Sequence, residues 1–128
     1  MIYTRTTPKT VAEATRDVEA AVTAHGFGVL HSYDFQKTLG DKGFPLKNGC
    51  RVLEVCNPKQ ASEVLAADMA LNMALPCRLS IYEDKGATII GMIPPTALLP
   101  LVSSDPAIAK AANEVEHTMK AIIDAAAV

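Results

Sequence analysis

The sequence predicts an α+β fold: one mainly antiparallel sheet and a helical layer. Three observations carry this expectation. Strand-like and helix-like segments follow one another in the order β-α-β-β-α-β-β-α. Two of the strand-like segments flank a tight Asp84-Lys85-Gly86 turn, which makes a hairpin. The chain has 128 residues, enough for one core, so a single domain over residues 1–128 is expected.

Each element has its own signal. Ile2 to Thr6 is short and partly β-branched, as a first strand should be. Thr10-Val11-Ala12-Glu13 spells a capping box, in which the threonine caps the helix and the glutamate reaches back to the cap. The spacing predicts a helix over 10–25, with Val11, Val18, Val22 and His25 on one stripe and Gly26 as the stop. Phe27 to Asp34 reads as a strand with Phe27, Val29, His31 and Tyr33 on one face. Residues 35–49 carry Gly40, Gly43, Pro45 and Gly49 and read as a long loop with one helical turn over Gln36 to Leu39.

Cys50 to Cys56 reads as a third strand, with Leu53 and Val55 toward the core and Glu54 toward solvent; in the opposite orientation Glu54 would be a buried carboxylate needing a partner such as Arg78. Asn57-Pro58-Lys59-Gln60 then opens a helix: asparagine caps it, proline suits its first turn, and glutamine completes the box. The stretch 70–75 either prolongs that helix or folds back on it before Pro76. Arg78 to Glu83 and Ala87 to Ile93 form the hairpin, and Pro94-Pro95 ends it. Asp105-Pro106 starts the last helix, whose Ile108, Ala112, Val115, Met119 and Ile122 make one apolar stripe.

Composition narrows function mainly by exclusion. The net charge is −2 and no basic stripe is present, so nucleic acid is not an expected partner. No apolar run reaches the length of a membrane span, and no basic-then-apolar leader opens the chain. A cytoplasmic location is expected. Three cysteines, Cys50, Cys56 and Cys77, without a C-x-x-C pair, fit free thiols rather than a disulfide framework or a zinc ribbon. Phosphate loops, nucleophile elbows, H-E-x-x-H and paired-carboxylate patterns are all missing, which argues against an enzyme.

Cys56 is the leading candidate residue. It ends a strand immediately before a helix start, where backbone N–H groups and the helix dipole favour a thiolate. Thiolates hold soft metals and carry sulfane sulfur. The competing reading is a plain core thiol, a common fate of cysteine. Cys77, after Pro76, is the second candidate. It would lie at the far end of the sheet if the intervening helix ran straight, since about 13 residues travel roughly 20 Å. The two cysteines meet within one chain only if 70–75 turns back, or else across a dimer contact. Two thiols alone suit copper(I) better than structural zinc. Cys50 sits roughly 20 Å from Cys56 along the strand and is not expected to join. The alternative is a dimeric module in which His31 and Tyr33 line a pocket for a small organic molecule and the cysteines are purely structural. As a third possibility, Cys56 would act as a nucleophile with His31 or Glu54 as base.

The segments Leu53-Glu54-Val55-Cys56-Asn57-Pro58 and Leu75-Pro76-Cys77-Arg78-Leu79 resemble the DUF302 family, a domain of unknown function. Gly26-Phe27-Gly28-Val29, Asp34, the Gln36–Leu39 stretch and Ile81-Tyr82-Glu83 extend the resemblance over nearly the whole chain. It implies a TATA-binding-protein-like sheet with helices on one face, often found as a homodimer. It also groups Cys56, Asn57, Pro58, Pro76 and Cys77 into one signature. A homodimer is expected on independent grounds as well: the outer sheet face or the apolar run Ile89-Ile90-Gly91-Met92-Ile93 needs cover, and Leu98, Leu99, Leu101 and Val102 have no evident place in the first core layer. The leading functional expectation is an accessory protein that binds a soft or thiol-reactive ligand, copper(I) or sulfane sulfur, through Cys56 with Cys77.

Overall fold

The computed structural model describes residues 1–128. Five strands form one open antiparallel sheet, in the order β1-β5-β4-β3-β2. They are β1 (Tyr3–Thr7), β2 (Gly28–Asp34), β3 (Cys50–Cys56), β4 (Cys77–Asp84) and β5 (Ala87–Met92). The helices are α1 (Val11–Ala24), α2 (Phe35–Asp41), α3 (Pro58–Ala67), the short α4 (Pro95–Leu98) and α5 (Pro106–Ala127). The expected strand order along the chain is present. Helix α2 is longer than the single turn expected in its loop, because Asp34 caps it by accepting from the Lys37 N–H at 3.0 Å.

Helix α1 begins and ends as its sequence dictates. Thr10 Oγ1 accepts from the Glu13 N–H at 3.1 Å, and Glu13 Oε1 accepts from the Thr10 N–H at 3.0 Å. At the other end Gly26 takes φ +79°. The Gly26 and Phe27 N–H groups reach back to the carbonyls of Thr23 and Val22, which closes a Schellman motif. His25 is the C-cap rather than a member of the buried stripe. It is exposed, with Nδ1 2.8 Å from the Ala21 carbonyl oxygen.

Helices α1 and α5 pack against each other and across one face of the sheet. Val18 and Val22 of α1, Leu53 and Val55 of β3, Leu79 and Ile81 of β4, Ile90 of β5, and Ile122 and Ile123 of α5 are all sealed from solvent there. Leu53 and Val55 therefore face the core, and Glu54 faces away from it, as expected. A second, smaller cluster of Val64, Leu71, Leu99, Ile108 and Ala112 forms where α3, the Leu99–Leu101 turn and the first half of α5 meet. Leu99 therefore has a place under α5, and only part of the stretch 98–102 remains exposed, chiefly Leu101. That removes most of the ground on which this stretch pointed to a dimer.

Strand β2 departs from simple alternation. Its pairing with β3 slips between Val29, opposite Val55, and His31, opposite Glu54. Leu30 is the extra residue of this bulge and is 60% exposed. A one-residue slip exchanges the two faces of a strand. Val29 stays with the core, whereas His31 and Tyr33 go to the face that α1 and α5 leave uncovered. The expected common face of Phe27, Val29, His31 and Tyr33 is thus corrected: the bulge splits it after Val29. No helix is long and apolar enough to cross a membrane.

Candidate functional site

The Cys56 end of the sheet is built by a chain that leaves and returns. Strand β3 ends at Cys56, and Asn57 caps α3 by accepting from the Gln60 N–H at 3.1 Å. Helix α3 stops at Ala67 because Asp68 is extended, at φ −156° and ψ 108°. Asp68 then caps a short 3-10 turn, Met69–Met73, by accepting from the Ala70 N–H at 3.0 Å. Leu71 of that turn is buried in the second cluster and pins it down. The chain therefore folds back, and Cys77 begins β4 directly opposite Val55, the neighbour of Cys56. Of the two paths open for residues 70–75, the structure takes the one that brings Cys56 and Cys77 together within one chain.

Both cysteines line one cavity of about 210 Å³. Phe27, Val64, Leu75 and Val115 supply much of its apolar wall. Asn57 also borders it, but its side-chain oxygen is already committed to the helix cap. All three cysteines are free and partly buried. Burial pushes the Cys77 thiol up to about 11, and neighbouring Cys56 adds to the rise. Burial also raises the Cys56 thiol. This corrects the expectation of a favoured thiolate at the helix start. The Gln60 N–H is spent on Asn57, and withdrawal from water dominates at the sulfur.

The other expected site residues stand elsewhere. His31 and Tyr33 pack together on the uncovered face, ring centroids 4.5 Å apart, and Tyr33 stacks on Phe35 at 6.0 Å. The Tyr33 hydroxyl donates to Glu54 Oε1 at 2.6 Å, and this bond raises the phenol above its ordinary range. Neither residue lines the cysteine cavity. Neither His31 nor Glu54 hydrogen-bonds to Cys56; Glu54 accepts from Tyr33 instead. No cluster of three or more His, Cys, Asp or Glu side chains is placed to hold a metal. Any metal at this site would rest on the two thiols.

The domain of unknown function DUF302 matches residues 3–126. The chain belongs to the DUF302 family. A solved structure of similar shape is that of an uncharacterized conserved DUF302 protein from Bacillus stearothermophilus. It superimposes with a TM-score of 0.92 at 33% identity, over 98% of this chain and 97% of that one. No curated protein matches the chain. The DUF302 membership accounts for the open antiparallel sheet and its helices, and it leaves the chemistry to be argued from the cavity.

Proposed function

We propose that this DUF302 protein binds a soft metal ion, copper(I), between Cys56 and Cys77. The observation that carries the reading is the shared apolar cavity, with one thiol from the end of β3 and one from the start of β4. Soft thiolate ligands select copper(I), and two of them satisfy it, whereas structural zinc asks for four ligands.

Burial raises both thiols, so either ligand must first displace their protons. For copper(I) the step is Cu⁺ plus two thiols giving a dithiolate complex and two H⁺. The choice of copper(I) over sulfane sulfur rests on two thiols lining one apolar cavity, which offers a soft ion both of its ligands. The apolar walls then shield the complex from water and competing ligands. This is a binding role.

The test is native mass spectrometry after titration with copper(I) and, separately, with inorganic polysulfide. One copper per chain is expected, lost in Cys56→Ser and in Cys77→Ser and kept in Cys50→Ser. Uptake of sulfur without copper would transfer the site to persulfide chemistry, and uptake of neither would end the proposal.

A further inference from the structure

We propose that the uncovered face of the sheet is a second binding site, for a zwitterionic α-amino acid with an apolar side chain. Arg78 would hold the carboxylate and Glu54 the ammonium group. The site is a groove of about 630 Å³, within the range of small-molecule pockets.

The groove contains one cation and one anion, Arg78 and Glu54. They lie directly opposite each other on β4 and β3. No ion pair within 4.0 Å joins them, and Arg78 pairs with no other carboxylate. Glu54 is held in place by Tyr33 through Oε1, which leaves its other oxygen for a donor. The floor adds the hydroxyls of Thr4, Ser80 and Tyr82, none of which bonds within the chain. Gly91 lies between Thr4 and Ser80 in the register and keeps the floor low. A Cβ there would come within 2.7 Å of the Thr4 side chain.

One end of the groove is apolar. Ile2, Met73 and Ile93 line it while being 65%, 76% and 53% exposed, and Leu98 closes it. A cation and an anion side by side, both open to a ligand, complement the two charged groups of an amino acid. The apolar end complements its side chain. An exposed Arg–Glu contact is worth little in water, so a ligand that engages both charges faces weak competition from their own attraction.

The experiment follows amide shifts of the isotopically labelled protein during titration with L-leucine, 4-methylpentanoate and isopentylamine. Saturable shifts at Arg78, Ser80 and Gly91 are expected with leucine, and the two single-charge analogues should bind at least about tenfold more weakly. Arg78→Gln and Glu54→Gln should each weaken leucine by at least about tenfold. Both positions lie off the buried core, and circular dichroism confirms that the variants fold. Cys77 lines both the groove and the cysteine cavity, whereas Cys56 lines only the cavity, so Cys56→Ser should abolish copper uptake and leave leucine binding unchanged. Four results would overturn the proposal: no saturable shift, equal binding of 4-methylpentanoate, indifference to Arg78→Gln, or groove shifts that track protein concentration with sedimentation at twice 13.6 kDa. The last would make the face a contact between two copies.

Discussion

The two halves of α5 cover two different interiors. Its C-terminal half, with Met119, Ile122, Ile123 and Ala126, closes on the sheet and α1, where side chains from five elements are sealed off. Its N-terminal half, with Ile108 and Ala112, closes on the smaller cluster of Val64, Leu71 and Leu99, beside a cavity that carries two thiols. Space has been kept at one end of the helix and removed at the other. The filled half behaves as a scaffold. The half with space is where a ligand can be exchanged for emptiness without dismantling the fold.

Paired truncations give the largest contrast. Leu79→Ala in the filled interior should cost about 4 kcal/mol, because packed neighbours cannot collapse into the hole. Leu99→Ala is nearly as buried but lines the cysteine cavity, and should cost about 2–3 kcal/mol. Urea unfolding of both variants measures the difference. Equal losses would mean that the second interior is as tightly built as the first.

The next contrast is with pH. The Cys77 thiol is raised from an ordinary 9.0 to about 11, so between those values the folded state binds the proton more tightly than the unfolded chain. The contribution is intact below pH 9, and stability falls as the pH rises from about 9 through 11. The loss is roughly 2–3 kcal/mol, and Cys77→Val should remove this part of the slope. The same protonation makes copper(I) affinity climb with pH, by up to about a hundredfold per unit when two protons are released. Competition with a copper(I) chelator at two pH values measures the climb.

Helix caps give a smaller effect. Thr10→Ala at the start of α1 and Asn57→Ala at the start of α3 should each cost about 1 kcal/mol. Only the second adjoins Cys56, so only the second should also weaken copper binding. The smallest effect lies on the uncovered face. Glu54→Gln should return the Tyr33 phenol toward its ordinary range, seen as a lower tyrosine titration midpoint in the difference from wild type.

The sequence made the scaffold legible and the site only in part. The Thr10–Glu13 box, Asn57-Pro58 and Asp105-Pro106 are local signals, and each helix start lies where they put it. The Lys85-Gly86 turn, with φ +51° and +80°, is equally local and makes the hairpin. The bulge at Leu30 is different. It is defined by which residues of β3 lie opposite, and no pattern within β2 announces it. The meeting of Cys56 and Cys77 depends on one extended residue, Asp68, and on the burial of Leu71. The Asp68 cap signal was available in the sequence, although the apolar run after it reads equally well as more helix. Arg78 was a possible partner only for a buried Glu54; that the two lie opposite each other on the uncovered face depends on cross-strand register, which no local pattern carries.

The central claim, that two thiols from the end of β3 and the start of β4 act together on one soft ligand, is tested most directly by X-ray absorption at the copper edge. The measurement is made on the copper(I)-loaded full chain. The account predicts a copper(I) centre with two sulfur neighbours and no nitrogen or oxygen ligand, and no such centre in Cys77→Ser. A centre with three or more sulfurs, or with histidine nitrogen, or a spectrum unchanged by Cys77→Ser, would contradict it.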